Sequence, residues 1–258
     1  YDCHASRKHK GSLRAIQRFD EFKRQVTRGG RLVDNSYSRN SIIGYVFKAD
    51  VRHFFDTVDH EILIDTISSK IKDEKVIWLI KQILENFEGE IKGVGMPLGN
   101  FTSQFFANVY LTKLDYFIKH ILKAKSYIRY VDDLVILHRN KIVLQEYARK
   151  ISLYLKYLKL ELHPDKSDIH ALRNGVTFLG YRIFYTHKLL RKRNLRYFMR
   201  KFEHYEKLHK NGQISAEDLL EKLQGWFGYA QWANTFKMRE TLKRRIVWEA
   251  NGKNEELF

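Results

Sequence analysis

The sequence predicts an α+β fold, in which a core sheet carries helices on one face, and three observations lead to that prediction. Short apolar segments of strand character are separated by longer segments with helical spacing between residues 45 and 187. Two of the short segments lie within residues 126–138, only a few positions apart, which indicates a hairpin. The chain from residue 188 onward has helical spacing. Strands separated by helices, together with one hairpin, are typical of α+β folds.

The composition indicates a globular protein with a polyanionic partner. The 258 residues are 44% hydrophobic and 14% aromatic, which is enough apolar material for a sizeable core. Lys and Arg number 47 against 30 Asp and Glu, so the formal charge is +17. Nucleic acid is the first partner to expect and an anionic membrane surface the second. No segment resembles a transmembrane span or a signal peptide, which makes the membrane the weaker candidate.

Two features of the amino-terminal end indicate the cellular compartment of the protein and a truncation of its sequence. The single cysteine, Cys3, excludes internal disulfides and cysteine-based zinc sites and fits a reducing cytosol. The sequence begins with Tyr1 rather than Met and enters in the middle of a pattern. We therefore expect an amino-terminal truncation and a cytoplasmic location.

A basic amphipathic helix is predicted at the start of the chain. Leu13, Ile16, Phe19 and Phe22 recur every three residues, and the pair Gly29-Gly30 would end the helix. A surface helix without any function has the same appearance, so both interpretations stay open. Residues 1–31 carry nine basic side chains against three acidic ones, namely Arg7, Lys8, Lys10, Arg14, Arg18, Lys23, Arg24, Arg28 and Arg31.

The centre of the chain begins with a strand and three helices. Residues 45–55 predict a strand, and Asp59 is placed to cap the helix that follows it. A second helix is predicted over residues 73–87, and a Gly- and Pro-containing loop over 93–100. Residues 101–122 predict one long helix, and its uncharged first half is expected to be buried.

The hairpin opens the second half of the chain. Its two strands flank a tight turn at residues 131–133, and a helix follows over 141–159. After a loop at 163–167, residues 176–185 predict a further strand. The tail is basic and helical, and Ser215 with Asp218 predicts a capping box that starts a new helix. Tyr197, Trp226 and Trp232 in this tail are expected to be core residues.

Three acidic residues are candidates for a metal site. Asp132 and Asp133 are adjacent and have hydrophobic residues on both sides, while Asp50 lies within or at the end of a strand. Because strand-end carboxylates can converge at one point of a sheet, the three together predict a site for a hard cation such as Mg²⁺. A pair of such ions can promote an in-line phosphoryl displacement, as polymerases and some nucleases require. An isolated Asp-Asp in a turn is usually only solvated, so this prediction depends on the combination.

The motifs around these residues resemble reverse transcriptases. "YVDD" at 130–133 resembles their Tyr-x-Asp-Asp motif, and "ADVRHFFDTVDHEIL" at 49–63 resembles their first palm motif. "GMPLGNFTSQFFANVYL" at 95–111 is similar to the second. "LELHPDKSDI" at 160–169 and "VTFLGYRI" at 176–183 are similar to the fourth and fifth, the last being the primer-grip segment. The order and spacing agree from Tyr1 to about residue 235.

One departure points to a subfamily. Most retroviral and group II intron enzymes have Pro-Gln-Gly in the second motif, whereas this chain has Pro97-Leu98-Gly99-Asn100 followed by Thr102-Ser103-Gln104. That form resembles the enzymes of diversity-generating retroelements. The resemblance implies a mutagenic copier that errs opposite template adenines, because the aliphatic Leu98 offers no hydrogen bond to constrain the incoming nucleotide.

The resemblance also implies a fold and its divisions. It is the right-hand polymerase fold, with partial fingers, a palm built on an antiparallel sheet with packed helices, and a helical thumb. The fingers would span 1–48, with their amino-terminal part missing. The palm would span 49–187, with interleaved finger helices near 71–92, and the thumb 188–258.

The same resemblance implies which residues bind the metal ions and which one donates a proton. Asp50, Asp132 and Asp133 would hold two Mg²⁺ ions, with Mn²⁺ as a substitute, and the backbone carbonyl of Val51 could add a ligand. Lys166 would protonate the departing pyrophosphate, although a solvated loop lysine is equally consistent with its position.

The nucleotide and the nucleic acid would contact further sets of residues. Phe55, on a strand, would exclude a ribose 2′-hydroxyl. Arg7, Lys8 or Lys10 would grip the triphosphate, with Arg7 as the first choice. The nucleotide site would also include Leu98, Gly99, Asn100 and Gln104. The primer grip would consist of Phe178, Leu179, Gly180 and Tyr181. The thumb would contact phosphates through Arg191, Lys192, Arg193, Arg196, Arg200 and Lys201.

The resemblance also implies binding partners, and three alternative functions stay open. The resemblance implies an RNA template, a DNA or RNA primer, dNTPs, and a small basic ring-forming accessory variability protein in a bacterial or phage-infected cytoplasm. Another bacterial reverse transcriptase, of the retron, group II intron or abortive-infection type, remains an alternative. So do a non-catalytic nucleic-acid-binding scaffold and, with less support from the motif order, a metal-dependent nuclease.

Overall fold

A computed structural model describes residues 2–30, 43–87 and 89–252 of the chain, with side chains as far as Arg245. The chain divides into two compact units, Tyr1–Asn174 and Gly175–Phe258. Tyr1 and Arg31 of the predicted basic segment, residues 32–42 of the predicted fingers and residues 253–258 of the predicted thumb lie outside the described residues. The division into fingers, palm and thumb stays a prediction.

The first unit begins with helices and loops around one long strand. Helix α1 is Ser12–Val26, strand β1 is Tyr45–Asp50, and a short helix α2, Phe54–Thr57, follows it. Helices α3, His60–Ser68, and α4, Glu74–Glu85, come next. The Asp59 side chain accepts a hydrogen bond from the Ile62 amide, as the sequence predicted for a helix cap.

The rest of the first unit supplies the remaining strands. Helices α5, Phe101–Tyr110, and α6, Thr112–Tyr116, run on into a π-helical turn, Phe117–Ile121. The predicted single helix is therefore interrupted. Strands β2, Tyr127–Tyr130, and β3, Asp133–His138, form the predicted hairpin. Helix α7, Lys141–Tyr157, and strand β4, Asp168–Ala171, complete the unit.

One antiparallel sheet of four strands organises this unit, in the order β2-β3-β1-β4. Phe47, Leu134 and Ile136 are buried in the main core together with residues of α3, α5 and α7. Their sequence neighbours Val46 and Val135 are equally buried on the opposite face, and α1 packs against β2 and β3. Helices therefore cover both faces, whereas the sequence predicted one, because these strands are apolar on both sides.

Helix α5 is buried on one side only. Ser103, Phe106, Ala107 and Tyr110 face the core, while Phe101 is 86% exposed and Phe105 57% exposed. The sequence predicted that this uncharged segment is buried. The prediction is confirmed for one side of α5 and was wrong for the side that carries Phe101 and Phe105.

The second unit combines a small sheet with three helices. Strands β5, Val176–Phe178, β6, Tyr181–Ile183, and β7, Lys188–Leu190, form an antiparallel sheet in chain order. Helices α8, Lys192–Lys210, α9, Ala216–Ala230, and α10, Phe236–Gly252, follow. Ser215 and Asp218 form the predicted capping box at the start of α9.

Two predicted strands have different limits. The strand predicted over 45–55 ends at Asp50, because His53 adopts a left-handed conformation with φ of 45° that turns the chain into α2. The strand predicted over 176–185 is instead the β5–β6 hairpin. Leu179 and Gly180 both have positive φ, 44° and 88°, which is the geometry of a two-residue hairpin turn. None of the helices in the described part of the chain is long and apolar enough to cross a membrane.

Candidate active site

The strand pairing brings two of the predicted carboxylates face to face. Asp50 ends β1 and Asp133 begins β3, and the two residues are direct cross-strand partners. Asp133 was predicted within the turn, but Tyr130 pairs with it, so the turn consists only of Val131 and Asp132. The sequence could not define this limit, because a two-residue turn suffices to reverse the chain. Asp132 therefore lies at the tip, next to the paired carboxylates.

Two lysines compensate the repulsion between these carboxylates. Like charges directly opposite each other on adjacent strands destabilise a sheet. The Lys166 Nζ donates a hydrogen bond to Asp50 Oδ2 at 2.9 Å, and the Lys48 Nζ lies 3.2 Å from Asp133 Oδ1. Lys48 precedes Asp50 by two positions on β1, so both side chains lie on the same face of the sheet. Lys48 is not among the predicted site residues, although its two-residue spacing from Asp50 indicates a position on the same face.

Burial is the main influence on the protonation of the two aspartates at the hairpin. Burial raises the pKa of Asp132 to about 6, and the nearby Asp50 and Asp133 add to the rise. Burial also raises the pKa of Asp133, against the opposing effect of Lys48. The hydrogen bond to Asp50 raises the pKa of Lys166. Lys166, predicted as a proton donor, is thus held as a cation on Asp50.

The donor set fits a hard divalent cation in kind. The three carboxylates are close enough to influence one another's ionisation, and each of two holds an ammonium where a cation would bind. Within residues 2–30, 43–87 and 89–252, no group of three His, Cys, Asp or Glu side chains is arranged to hold a metal ion as it stands. Lys166 holds one oxygen of Asp50 and Lys48 one oxygen of Asp133, so a metal at this site would compete with both ammonium groups. Val51, the predicted backbone ligand, is buried and forms an isolated antiparallel bridge with Leu162.

Phe55 lies on helix α2 rather than on a strand, as a consequence of the turn at His53. Its ring contacts Phe54 edge to face, with 5.4 Å between the ring centroids. Its carbonyl accepts a hydrogen bond from the Met96 amide at 2.8 Å. Because of this bond, Phe55 is joined to the loop that leads directly to the predicted nucleotide residues.

The predicted nucleotide residues of the second motif lie on an exposed surface. Leu98 is 72% exposed, Gly99 has φ of 90°, and Asn100 is the residue before α5. Gln104, one turn into α5, accepts a hydrogen bond through Oε1 from the Ser6 hydroxyl at 2.7 Å. This bond connects α5 to the amino-terminal segment, in which Arg7 and Lys8 are exposed. The structure thus places the two predicted groups next to each other.

The predicted primer-grip and phosphate-binding residues lie in the second unit. Phe178 and Tyr181 flank the β5–β6 turn, which consists of Leu179 and Gly180. The Tyr229 hydroxyl donates to the Gly180 carbonyl at 2.8 Å, and the Tyr181 hydroxyl donates to the Tyr229 carbonyl at 2.8 Å. The six predicted phosphate contacts are all exposed at the start of α8: Arg191, Lys192, Arg193, Arg196, Arg200 and Lys201.

The aromatic residues of the second unit differ in their environments. Trp226 is partly buried and packs against the core of the unit, where it stacks on Phe198 with 3.5 Å between the ring centroids. Tyr197, however, is 64% exposed, so the expectation of a core position was wrong for this residue. It lies on α8 among the exposed cations, where helical spacing leaves it outside the stripe of Phe198 and Phe202.

A family model for reverse transcriptase (RNA-dependent DNA polymerase) matches residues 6–183. Among curated proteins, the group II intron-encoded protein LtrA of Lactococcus lactis subsp. cremoris is 38% identical over 76 residues, which cover 28% of this chain and 13% of LtrA. The protein YkfC of Escherichia coli (strain K12) is 24% identical over 188 residues, covering 58% of this chain and 48% of YkfC. The chain thus spans less than half the length of these relatives.

Solved structures with a similar fold include telomerases. Telomerase from Candida albicans in complex with a fragment of telomeric RNA is 10% identical, with a TM-score of 0.56, and covers 95% of this chain and 44% of that one. Apo telomerase from Candida tropicalis is 16% identical, with a TM-score of 0.55, and covers 72% of this chain and 36% of that one. At these identities the likeness concerns the fold alone, which is that of a right-hand polymerase.

Proposed function

This chain belongs to the reverse transcriptase family, and from that premise we propose that it is an RNA-directed DNA polymerase. It extends the 3′-hydroxyl of a DNA or RNA primer with dNTPs on an RNA template. The observation that carries the proposal is the cross-strand pair of Asp50 and Asp133 with Asp132 at the adjacent tip. A sheet has no structural need for three neighbouring carboxylates, and they raise its free energy unless a cation binds them.

Asp50, Asp132 and Asp133 would hold the metal ions, with the Val51 carbonyl as a further ligand. Two Mg²⁺ ions, when bound, activate the attacking hydroxyl and stabilise the charge on the leaving pyrophosphate, and Mn²⁺ could replace them. Lys48 and Lys166 compensate the charges of Asp133 and Asp50. When Lys166 leaves Asp50, its ammonium becomes free to donate a proton to the pyrophosphate.

The nucleotide would be bound between the second motif and the amino-terminal segment. Arg7 or Lys8 grips the triphosphate, and the bond between Ser6 and Gln104 supports that arrangement. Phe55 excludes a ribose 2′-hydroxyl, and its connection to Met96 supports a position beside Leu98, Gly99 and Asn100. In the second unit, residues 178–181 would contact the primer and the basic start of α8 would bind phosphates without reading sequence.

We further propose that the polymerase is error-prone at template adenines and acts in a diversity-generating retroelement, with a basic accessory variability protein as partner. Support comes from Leu98, which is 72% exposed and has no hydrogen-bonding group with which to orient an incoming base. Among the relatives, LtrA is a group II intron-encoded protein, which keeps the intron-type enzyme as the alternative subfamily. The accessory partner rests on the subfamily resemblance alone.

Primer extension on an RNA template tests the activity. The double variant Asp132→Asn, Asp133→Asn is expected to lose extension by a factor of about 10³ or more, since both ligand charges disappear. Asp168→Asn is the matched control, because Asp168 is an exposed carboxylate on the neighbouring strand β4. Binding of the primer–template without extension by the wild-type chain would instead support a nucleic-acid-binding scaffold, and degradation of the template would support a nuclease.

Sequencing the extension products tests the error proposal. Leu98→Gln restores an amide that can orient the nucleotide, so we expect fewer errors opposite template adenines. Ile91→Gln is the matched control, since Ile91 is another exposed aliphatic residue, 65% exposed, that precedes the same motif. An unchanged error spectrum in Leu98→Gln would contradict the proposed role of Leu98.

A further inference from the structure

A buried cation lies behind the carboxylate tip, in the strand that leads to it. Arg129 is in the middle of β2 and is 1% exposed. Its Nε donates to Asp115 Oδ1 at 2.7 Å and its Nη2 to Asp115 Oδ2 at 2.6 Å, so the pair is bidentate. The Tyr127 hydroxyl also donates to Asp115 Oδ1, at 2.7 Å. The two bonds between Arg129 and Asp115 fix the plane of the guanidinium.

The third guanidinium nitrogen of Arg129 donates a hydrogen bond to the turn that carries Asp132. Arg129 Nη1 donates to the carbonyl oxygen of Val131 at 3.0 Å. Val131 is the first residue of the two-residue turn and directly precedes Asp132. Its φ of 55° is unfavourable for a β-branched residue, which incurs a cost of about 1–2 kcal/mol in the left-handed region. Such a conformation persists only where the surroundings hold it, and the bond from Arg129 does so.

The same residue joins the turn to the predicted nucleotide side of the unit. Arg129 Nη1 also donates to the side-chain oxygen of Asn108 on α5, at 3.2 Å. The Asn108 amide in turn donates to the Ala5 carbonyl at 3.0 Å. Through its backbone, Arg129 donates to the Asp2 carbonyl and accepts from the His4 amide, both at 2.9 Å. One buried residue, through its side chain and its backbone, therefore connects the turn, helix α5 and the amino-terminal segment.

An ion pair in a core does not by itself explain this arrangement. Apolar residues of similar volume can replace a buried ion pair without loss of stability, so folding alone does not require Arg129. What apolar residues cannot supply is a rigid donor aimed at the Val131 carbonyl.

We propose that Arg129 is a positioning residue of the polymerase site. Fixed by Asp115, its guanidinium holds the Val131 carbonyl and thereby sets the orientation of Asp132 relative to Asp50 and Asp133. This inference rests on the proposed function, because it concerns the geometry in which the carboxylates bind metal and act. It assigns no contact between Arg129 and the substrate.

Two variants and one control test the proposal. The double variant Arg129→Met, Asp115→Leu keeps an apolar core but removes the donor to Val131. Arg129→Lys keeps the charge beside Asp115, but an ammonium cannot bind both carboxylate oxygens and the Val131 carbonyl in the same geometry. Tyr127→Phe is the matched control, since it removes one hydrogen bond to Asp115 and leaves the bond to Val131. Circular dichroism first establishes which variants are folded at the assay temperature.

The readouts are Mn²⁺ affinity, measured by electron paramagnetic resonance, and the kinetics of primer extension. In both Arg129 variants that fold, kcat should fall by about tenfold or more while KM for dNTP stays within about twofold, since the turn is displaced but the nucleotide contacts remain. Mn²⁺ affinity should fall several-fold. Tyr127→Phe should retain the wild-type values in both measurements.

The outcomes separate this inference from the proposed function. A wild-type chain that neither binds Mn²⁺ nor extends a primer overturns the proposed function. A wild-type chain that does both, with an Arg129 variant that is folded and keeps the wild-type kcat and Mn²⁺ affinity, overturns the positioning role alone. If only Arg129→Lys folds, its kcat and Mn²⁺ affinity alone decide whether Arg129 has the positioning role.

Discussion

The charges of single residues at the tip of the sheet work against stability in the metal-free protein. Asp133 is three-quarters shielded, with a side chain 27% exposed, and faces Asp50 across the strands. Lys48 supplies the compensating charge from β1 and is itself only 23% exposed. The carboxylates of this site are thus tolerated through local cations, and a metal would replace those cations when it binds.

Removing Lys48 tests whether its charge compensates that of Asp133. Lys48→Met leaves the half-buried carboxylate of Asp133 uncompensated, so we expect the free energy of unfolding in EDTA to fall by about 1–2 kcal/mol. Addition of Mg²⁺ should stabilise Lys48→Met more than the wild type, because no ammonium competes for the site. Thermal unfolding with and without Mg²⁺ measures both effects.

Lys113→Met is the control for the loss of a lysine partner. Lys113 lies 3.2 Å from Asp65, whose side chain is 79% exposed, so removing this surface pair should cost less than about 0.5 kcal/mol. Equal losses in the two variants, with equal responses to Mg²⁺, would contradict a compensating role for Lys48.

His4 gives the folded protein a pH dependence of its own. It is 2% exposed, neither ring nitrogen has a hydrogen-bond partner among the described residues, and burial followed by the charge of Lys10 lowers its pKa to about 4. Asp2 opposes this shift, while Arg14 and Arg18 add to it. The unfolded chain binds the proton near pH 6.5, so stability is complete above that value and is lost as the pH falls from 6.5 toward 4.

His4→Phe should remove that loss. Between pH 7 and pH 4.5 the wild type should lose on the order of 2 kcal/mol more than His4→Phe, since phenylalanine cannot take up the proton. Chemical denaturation at both pH values measures the difference. His170→Phe, which changes a histidine 44% exposed on β4, should keep the wild-type pH dependence, and a variant at His4 that keeps it too would disprove the assignment.

At the scale of elements, hairpin turns determine where the predicted functional side chains lie. The Val131-Asp132 turn presents the carboxylate tip, and the Leu179-Gly180 turn presents the predicted primer grip. Each turn uses positive φ, and a side chain outside the turn donates to one of its carbonyls: Arg129 of the preceding strand β2 in the first case and Tyr229 of helix α9 in the second. These hydrogen bonds stabilise turn conformations that the turn residues alone would make costly.

A substitution in the β5–β6 turn tests whether Tyr229 constrains its conformation. A Cβ at Gly180, where φ is 88°, would lie 2.3 Å from the Tyr229 hydroxyl oxygen. Gly180→Ala should therefore destabilise the second unit by about 2–4 kcal/mol, through backbone strain and the steric conflict together. Gly212→Ala is the matched control, because Gly212 has φ of 73° and open space around its Cβ position, and it should cost only about 1 kcal/mol. Equal costs in urea unfolding would show that Tyr229 does not constrain the turn.

At the scale of the whole molecule, the net charge of +17 favours electrostatic binding to a nucleic acid. The exposed cations at the start of α8 are one source of that field, and the amino-terminal segment is another. Binding to a primer–template should be strongly salt-dependent, because each neutralised phosphate releases counterions. The positive charge thus supports affinity without selecting a sequence.

Salt titrations can assign the phosphate contacts. Arg193→Ala with Arg200→Ala should reduce the slope of log affinity against log salt concentration by about two, one for each lost contact. Arg149→Ala with Lys150→Ala is the matched control, since both cations on α7 already pair with Glu146. A slope that changes equally in both double variants would mean that α8 makes no particular contribution.

The sequence by itself determined the family, most helices and strands, the hairpin and the two helix caps, because these depend on local periodicity and on motif spacing. It also indicated which carboxylates could act together, and their role as metal ligands stays a prediction. Only the tertiary structure decided that Asp50 faces Asp133, that His53 turns Phe55 onto a helix, and that Lys48 pairs with Asp133 and Arg129 with Asp115. The physical reason is that strand register and ion pairs between elements arise from contacts between residues far apart in the chain, such as Lys166 with Asp50, which no local pattern encodes.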